Sequence, residues 1–326
     1  MMYTPQGDRK MIRRLMTAAS RLAKSMAITL LIATAPVTAN AEPSETAPVS
    51  AGQTGSEHKN LAEVGAKLSD PTSDVWALFT QFGITWSDGD VNTGDAKIGG
   101  NMIFQPILPV PLYGEGEDQW KILVRPAIPV LFGNSVPRKV FNRFDNQTGI
   151  GDISLPLPVT MPAGNWLLGL GPTFLIPSSS SDAFGRQQWG IGPTGIFGYK
   201  TKDWIAGIFP QYYFGIGSRG DQGSKADASY MQLLYFGFYN LPDAWQIGFN
   251  PNITYDNKAT RGNKWNVPIG LVIAKTTQVA GKPVKFQFGL EYSVVSQDDF
   301  GTRFQLKLNI IPVIGALIKK PIFGGG

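Results

Sequence analysis

Alternating apolar and polar residues near the C-terminus predict two neighbouring β-strands. From Lys285 to Val294 every even-numbered position is a large apolar residue, and every odd-numbered one is polar or Gly. The same alternation returns from Arg303 to Ile310. Because successive side chains of a strand point to opposite faces, each strand has one apolar and one polar face. A soluble β-sandwich and a water-filled membrane barrel both use such strands, so other features must separate the two.

The N-terminus separates them, because it has the parts of a secretory signal peptide. Six basic residues lie within 9–24, residues 26–35 are an apolar core, and Ala39-Asn40-Ala41 is an A-x-A cleavage site. The sequence therefore predicts a signal peptide over residues 1–41 and export from the cytoplasm. The apolar core is too short to cross a bilayer, and no later stretch has the roughly 18 uncharged apolar residues that a transmembrane helix needs.

The positive net charge of the chain comes from this segment. The sequence has 29 basic and 24 acidic residues, and residues 1–41 hold six of the basic residues and one acid, which leaves 23 of each sign in the mature chain. A near-neutral mature protein gives no reason to expect nucleic acid as a partner. The chain has no Cys, so disulfides, thiol catalysis and cysteine metal sites are excluded.

Residues 42–74 are predicted to be a periplasmic leader. Residues 42–55 are mostly Ala, Pro, Ser, Thr and Glu with little to bury, which is typical of a flexible segment. Ser56 can then cap a short helix. Apolar or small residues recur at helical spacing at Leu61, Val64, Gly65 and Leu68. This helix is either a solvated periplasmic arm or a plug that folds into the lumen and closes it.

Residues 75–311 contain about twelve strand patterns, bounded by clusters of Gly, Pro, Asn and Asp. They predict an all-β protein, a closed antiparallel transmembrane β-barrel with short periplasmic turns and longer extracellular loops, followed by a C-terminal tail at 312–326. The predicted strands are 75–85, 99–110, 120–132, 149–160, 166–176, 188–200, 204–217, 229–241, 245–256, 264–277, 282–295 and 302–311.

Connection lengths and tryptophans support the same arrangement. Connections after odd strands are mostly long and polar, whereas those after even strands are mostly tight, with residues 111–119 as the exception. Outer-membrane barrels have short turns on the periplasmic side, so both termini are predicted to be periplasmic. Indole favours membrane interfaces, which predicts two girdles. One contains Trp120, Trp166, Trp204 and Trp245, and the opposite one contains Trp86, Trp189 and Trp265.

Twelve prolines lie inside the predicted strands, where each removes a hydrogen-bond donor from the ladder, and nine of these are interpreted as follows. A closed barrel has no edge on which to place them, so they are predicted to mark bulges or bends. Gly171-Pro172-Thr173 and Gly192-Pro193-Thr194 are expected to be matching sites on adjacent strands. The nine are Pro106, Pro126, Pro129, Pro156, Pro172, Pro193, Pro210, Pro251 and Pro268.

Polar positions of four strands give candidate lumen-lining residues. A Lys or Arg on the lipid face at the bilayer midplane costs about 2–4 kcal/mol, so charged residues in mid-strand must face the lumen. The charged candidates either form a cross-barrel network that fills the interior or tune the selectivity of a permeation path. The candidates are Lys121, Arg125, Asn250, Asn252, Asp256, Lys285, Gln287, Glu291, Arg303, Gln305 and Lys307.

No catalytic, cofactor or metal site is predicted. The only His in the sequence is His58, in the leader, so the wall cannot supply the imidazole of a Ser/His pair. The Gly-rich turn before Asp152 lacks the helix that a phosphate loop requires. Acid pairs such as Asp298-Asp299 could bind a divalent cation from a loop, but nothing in the sequence fixes their geometry.

Short motifs along the strands resemble a family of bacterial outer-membrane proteins. They are Gly149-Ile150-Gly151-Asp152-Ile153, the Trp…Gly-Pro units at 166–172 and 189–193, Trp245…Asn250-Pro251…Tyr255-Asp256, and Trp265-Asn266-Val267-Pro268-Ile269-Gly270. Together they are similar to the meta-pathway phenol-degradation-like proteins, some of which carry the label neuromedin U. The resemblance implies a barrel and the uptake of small hydrophobic compounds. Such barrels usually end on an aromatic residue, whereas here an apolar, basic tail follows Ile311.

Two hypotheses about function follow. The first is a passive outer-membrane channel for small solutes, hydrophobic or aromatic ones among them, which performs no chemistry. The alternative is a filled structural barrel whose outer loops, such as residues 133–148, bind a partner. Outer-membrane lipid is the expected surrounding in both, small solutes in the lumen are expected in the first, and neither needs a cofactor or nucleic acid. The oligomeric state does not follow from the sequence.

Overall fold

The computed structural model describes residues 60–138, 142–217 and 227–323. The predicted signal peptide, His58 and more than half of the predicted leader lie outside these ranges. Residues 60–67 are helical, and the rest of the described chain consists mainly of strands and turns. No helix among the described residues combines the length and the hydropathy needed to cross a membrane.

Sixteen strand segments combine into twelve strands, named β1 to β12 in chain order, because three of the strands are interrupted. The interrupted strands are β3 (Trp120–Val124 and Ile128–Pro137), β4 (Phe144–Ile150, Ile153–Pro156 and Val159–Met161) and β9 (Trp245–Phe249 and Asn252–Asp256). The continuous strands are β1 (Ala77–Asp88), β2 (Lys97–Tyr113), β5 (Trp166–Ile176), β6 (Trp189–Lys200), β7 (Trp204–Ile216), β8 (Ser229–Asn240), β10 (Trp265–Val279), β11 (Lys282–Val295) and β12 (Gly301–Pro312).

Antiparallel pairing runs around the whole wall and closes it. Each strand pairs with the next one in the chain, and β12 pairs back with β1. Phe82 of β1, for example, lies opposite Met102 of β2 on one side and Leu308 of β12 on the other. Closure removes the free strand edges that lipid cannot hydrogen-bond. The predicted fold, a closed antiparallel barrel of twelve strands, is confirmed.

The outer face of the wall carries exposed apolar side chains, the reverse of a soluble protein. On β11, Phe288 and Leu290 are 47% and 39% exposed, whereas the alternate residues Gln287 and Glu291 are 3% and 6% exposed. Exposed apolar side chains continue around the wall at Leu170, Ile191, Phe197, Phe214, Ile247 and Leu271. An apolar outer band on a closed barrel matches the hydrocarbon core of a bilayer. This polarity distinguishes a membrane barrel from a soluble sandwich.

Aromatic residues form a ring at the end that carries the tight turns. Trp120, Trp166, Trp204 and Trp245 each begin a strand there, and all four are exposed. Tyr199 bridges two of them, with its ring centroid 5.0 Å from that of Trp166 and 5.8 Å from that of Trp204. At the opposite end Trp265 packs against Tyr255, with ring centroids 4.4 Å apart. Both ends therefore have the indole and phenol groups that membrane interfaces favour.

Proline interrupts the wall at some sites and fits the ladder at others. Pro126 and Pro251 lie in the breaks of β3 and β9, as the interpretation of prolines as bends expects. Pro172 of β5 and Pro193 of β6 lie directly opposite each other, but within continuous pairing. The carbonyl of Pro172 accepts a hydrogen bond from Leu157 N on the β4 side, at 2.9 Å. Its missing N–H would face β4 as well, so the pairing of β5 with β6 loses no hydrogen bond there.

The connection between β3 and β4 differs from the predicted loop at residues 133–148. The two strands continue to Pro137 and start again at Phe144, so most of that range is a strand hairpin. Arg138 and Asp145 form an ion pair across its end. The alternation rule missed this extension, because beyond the bilayer the outward face of a strand no longer needs apolar residues. Similarly, β2 continues to Tyr113 and shortens the connection predicted at 111–119.

The C-terminal tail returns to the wall at the end that carries the tight turns. Ile314 N donates to Trp76 O at 2.9 Å, just before the start of β1. Further on, Ile322 N donates to Pro111 O at 3.1 Å and Phe323 N to Leu112 O at 2.8 Å. These two carbonyls belong to the part of β2 that extends beyond its pairing with β1, which ends at Ile107. The tail therefore covers a short stretch of strand edge that closure alone leaves open.

Candidate functional site in the barrel interior

A cavity of about 380 Å³ lies inside the barrel, in the half with the longer connections. Inward residues of nearly every strand line it, and half of its polar side chains are carboxamides. Such groups donate and accept hydrogen bonds without carrying charge, so they can solvate a polar solute or water equally well. The carboxamides are Gln81, Asn101, Gln105, Gln211, Gln232, Asn250, Asn252, Asn266 and Gln305.

Two of the charged residues that line this cavity form an ion pair with each other. Lys307 Nζ on β12 donates to Glu291 Oε1 on β11, and both side chains are buried. Lys307 Nζ also contacts the backbone oxygen and Oδ1 of Asn250, at 3.3 and 3.2 Å. Adjacent inward positions on neighbouring strands bring the pair together, and the amide completes the ammonium's hydrogen bonding. This pair therefore adds no net charge to the cavity.

Asp152, a third charged lining residue, is held by backbone donors. It lies in the first break of β4, and its carboxylate accepts hydrogen bonds from Ser179 N at 3.1 Å, Gln187 N at 3.1 Å, and Arg186 N. Arg186 in turn forms an ion pair with Asp256. Asp152 thus anchors the connection between β5 and β6 at the cavity rim. Its position in a strand break, rather than in the alternating pattern, explains why the lumen prediction did not include it.

The fourth charged lining residue, Arg125, lies in the break of β3. Its Nε is buried and has no hydrogen-bond partner among residues 60–138, 142–217 and 227–323. Its guanidinium carbon lies 5.7 Å from the ring centroid of Phe209 on β7, within the range of a cation–π contact. Ion pairs within the described ranges involve other basic residues. Arg125 is therefore a lumen cation held by an aromatic face.

The half of the interior below this cavity, called the apolar half, holds a buried apolar cluster together with the buried polar residues Gln246, Lys285 and Gln287. The side chains of the cluster point inward from strands whose outer faces are apolar as well. The predicted lumen residues came from β3, β9, β11 and β12, whereas most of this cluster lies on other strands. Apolar residues on both faces of strands such as β5 and β8 are the signal that could have shown it. The cluster comprises Leu123, Leu167, Ile196, Ile205, Phe209, Phe236, Phe238 and Val272.

Residues 60–76, here called the N-terminal segment, pack into this apolar half. Lys285, which is 0% exposed, donates from Nζ to Gly65 O at 3.1 Å and to Ser69 Oγ at 2.5 Å. The same ammonium lies 4.9 Å from the ring centroid of Phe238. Gly65 sits so close to β10 that a Cβ there would lie 2.5 Å from Thr276 Oγ1. Contacts with two inward-facing residues, Lys285 and Thr276, place the segment inside the barrel.

Further polar contacts hold the N-terminal segment in this place. Asp70 Oδ2 pairs with Lys200 Nζ at 2.6 Å, and Ser69 Oγ donates to Gln246 Oε1 at 3.2 Å. Trp76 is buried and donates from Nε1 to Pro109 O at 3.1 Å. The segment is thus joined to β2, β6, β9 and β11, which lie around the circumference of the barrel.

A layer of five residues separates the cavity from the N-terminal segment. A smaller space of about 70 Å³ lies between the segment and the wall. Five residues line both this space and the larger cavity, and they are called the central layer. It consists of Phe79, Arg125, Phe209, Leu234 and Asn250. The central layer therefore marks the boundary between the amide-rich half and the apolar half of the interior.

Comparison with known proteins identifies the architecture. No protein-family model matches the chain, and no curated protein matches its sequence. A solved outer membrane channel from Pseudomonas putida F1 matches with a TM-score of 0.54 and 14% identity, over 74% of this chain and 96% of that chain. The fold is that of an outer-membrane channel. At this level of identity the similarity is one of fold.

Two porins match at lower similarity. The NanC porin matches with a TM-score of 0.42 and 10% identity, over 73% of this chain and 99% of that chain. A BenF-like porin from Pseudomonas fluorescens Pf-5 matches with a TM-score of 0.32 and 10% identity, over 74% of this chain and 98% of that chain.

The structure places the predicted lumen residues in several different surroundings. Lys285 contacts the N-terminal segment, and Gln287 lines the smaller space and accepts from Asn309 Nδ2 at 2.8 Å. Asp256 pairs with Arg186 near the rim, and Lys121 lies opposite Thr160 outside the lining of both spaces. Those that line the larger cavity are Arg125, Asn250, Asn252, Glu291, Gln305 and Lys307.

Arg303 lies outside the lining of both spaces. Trp86 lies opposite Phe304 and Ser87 opposite Thr302, so Arg303 is the extra residue of a β-bulge. A bulge changes the face toward which nearby side chains point. Thr302 and Gln305 line the cavity, and Arg303 does not. The predicted cross-barrel network of charges is replaced by two separate pairs, Glu291 with Lys307 and Asp256 with Arg186.

The acidic residues of the loops at the end with the longer connections make local hydrogen bonds, through the carboxylate of Asp88 and through the backbone of Asp90 and Asp298. Asp88 Oδ1 accepts from Gly89 N at 2.9 Å and from Asn92 Nδ2 at 2.8 Å, which shapes the turn after β1. The backbone oxygen of Asp298 accepts from Asp90 N at 2.8 Å. Within the described ranges, no three His, Cys, Asp or Glu side chains are grouped as a metal site would require.

Proposed function

We propose that the chain is a passive channel of a bacterial outer membrane for small solutes, hydrophobic or aromatic ones among them. The observation that supports it most is the cavity of about 380 Å³ inside a closed membrane barrel. A purely structural barrel would be more stable with that space filled by side chains. The motifs that resemble the meta-pathway phenol-degradation-like proteins support the solute class. Export through a signal peptide at residues 1–41 belongs to the same proposal.

The N-terminal segment is a plug in this proposal. It occupies the apolar half of the interior, where a solute would have to pass to reach the periplasm. Polar contacts such as those of Lys285 and Asp70 hold it at separate points. Such contacts can break and reform without unfolding the wall, because the strand ladders do not depend on them. Solute passage would require the segment to move.

Planar-bilayer conductance of the refolded chain from Glu42 onward tests both statements. The matched comparison is a chain that lacks residues 42–70, and hence the contacts of Gly65, Ser69 and Asp70. We expect discrete conductance steps that appear or enlarge on truncation, because the apolar half is then open. Asp70→Asn provides a milder variant, in which the ion pair with Lys200 is lost but the segment remains.

Two results would contradict the proposal in different ways. Silent bilayers with both chains at all tested voltages would remove the channel function and favour the filled structural barrel. Equal conductance of the two chains would keep the channel but remove the plug. Circular dichroism and heat-modifiable migration of both refolded chains would first establish that each has formed its barrel.

A further inference from the structure

Arg125 stands out among the charged groups of the interior because the described residues around it supply no counter-ion. Glu291 is paired with Lys307, and Asp152 accepts from three backbone donors. Asp70, in the smaller space, pairs with Lys200 and also accepts from Thr72 N at 2.7 Å. Each carboxylate that faces either space is therefore already occupied. A cation removed from bulk water and left without an anion is costly, so a partner for Arg125 would be strongly favoured.

The position of Arg125 favours an anion with an apolar part. It lies in the central layer, where the amide-rich cavity meets the apolar cluster. Phe79, Phe209 and Leu234 share that layer and offer apolar contact beside the guanidinium. A small inorganic anion could neutralise the charge, but it would leave this apolar surface in water. An anion with a ring or a short chain would neutralise the charge of Arg125 and also cover the apolar surface beside it.

A carboxylate matches the chemistry of the cation. The guanidinium is a planar fork of N–H donors that fits the two oxygens of a carboxylate in a bidentate geometry. A cavity of about 380 Å³ is within the size range of small-molecule sites and exceeds the needs of a single bound ion. Carboxamides around it, such as Asn250 and Gln211, can donate further hydrogen bonds to the same oxygens.

We propose that Arg125 is the centre of a binding site for small amphipathic monocarboxylates, reached from the side of the longer loops. The carboxylate pairs with the guanidinium, and the ring or chain packs against Phe79, Phe209 and Leu234. This inference deepens the proposed channel function by naming a solute class, and it rests on that function for transport but not for binding. Because the cavity lies on the loop side of the central layer, binding does not require the N-terminal segment to move.

Calorimetric titration of the refolded protein with three probes tests the chemistry of the site. Benzoate has the charge and the ring, benzamide is a nearly isosteric uncharged analogue, and acetate has the charge without the ring. We expect benzoate to bind at least tenfold more tightly than either of the other two. Equal affinity for benzamide would overturn the role of the charge. Equal affinity for acetate would overturn the amphipathic part and leave a general anion site.

Substitution of the arginine tests the residue itself. Arg125→Gln should weaken benzoate binding at least tenfold, and Arg125→Lys should give an intermediate loss, because lysine keeps the charge without the fork. Arg143→Gln removes one positive charge from an exposed loop and serves as the matched control. Unchanged benzoate affinity in Arg125→Gln would overturn the proposal. If that variant does not fold, the wild-type comparison of benzoate with benzamide still decides.

Flux measurements separate this inference from the channel proposal. Benzoate binding without any permeation would overturn the channel function and leave the site. Permeation without selective benzoate binding would overturn the site and leave the channel. Liposome swelling in benzoate and in benzamide, measured on the chain that lacks residues 42–70, supplies the permeation data.

Discussion

At the scale of single residues, Lys307 shows how a charge is kept inside a membrane-spanning wall. Its ammonium has Glu291 and two oxygens of Asn250 as partners, and all three residues project inward from adjacent or nearby strands. The gain from such a pair is modest relative to an apolar pair of similar volume, but loss of one partner leaves the other charge buried alone. The stability of the barrel is therefore expected to fall when either Glu291 or Lys307 is replaced alone, and to fall less when both are replaced together.

Substitution of one partner should destabilise the barrel more than substitution of both. Glu291→Gln is expected to lower the free energy of unfolding by about 3 kcal/mol, because Lys307 then remains charged without its anion. Glu291→Gln combined with Lys307→Gln should recover most of that loss. Urea unfolding of the protein refolded into phospholipid vesicles measures both. Lys282→Gln, an exposed lysine on β11, is the control and should stay within about 0.5 kcal/mol of wild type. Equal loss in single and double variants would contradict the interpretation.

At the scale of elements, the N-terminal segment depends on one close approach. A Cβ on Gly65 would lie 2.5 Å from Thr276 Oγ1 and 3.3 Å from Thr276 Cβ, which belongs to β10. Glycine allows the helical residues 60–67 to lie directly against the strand. The backbone oxygen of Gly65 can then reach Lys285 on the neighbouring β11. The element thus fits its site only with a glycine at this position.

A bulky side chain at this position should loosen the segment. Gly65→Leu is expected to increase the frequency of conductance steps relative to wild type, because the helix must move away from β10 to make room. Glu63→Leu places the same leucine side chain at an exposed position two residues earlier. This control should leave the frequency of conductance steps unchanged. Single-channel recording compares the three proteins. An equal effect of both substitutions, or of neither, would show that the approach of Gly65 does not control closure.

The elements themselves could be predicted from the sequence to within a few residues at most ends. Strands such as β5 and β11 occupy the predicted ranges, because their outward residues must be apolar wherever they cross lipid. The hairpin of β3 and β4 was shorter in the prediction, because its outer part carries Asn134, Ser135 and Asn146 and gives no alternation. The bulge at Arg303 was also missed, since one extra residue changes the face without changing composition.

At the scale of the whole molecule, the interior could be predicted only in part. Period-2 alternation identified Asn250, Glu291 and Lys307, because their outward neighbours are apolar. It did not identify Asp152, which lies in a strand break, and it could not show that Arg125 belongs to the central layer, since that layer combines residues of different strands. It also missed the inward apolar cluster, although apolar residues on both faces of β5 and β8, such as Leu167 and Phe236, carry that signal. Those features depend on which strands face each other across the barrel.

The division of the interior into two halves has a consequence for permeability. A solute that crosses the barrel passes first through the amide-rich half and then through the apolar half. The first half favours polar solutes, whereas the second favours apolar ones. Strongly hydrophilic compounds are delayed in the second region, and strongly lipophilic ones are excluded from the first. Uptake through the truncated barrel should therefore be greatest at intermediate octanol–water partition coefficients. A series of linear alcohols in liposome-swelling assays measures this dependence, and a monotonic trend would contradict it. The rate of uptake would then depend mainly on how well a solute is solvated in each of the two halves. Molecular size would be a secondary limit.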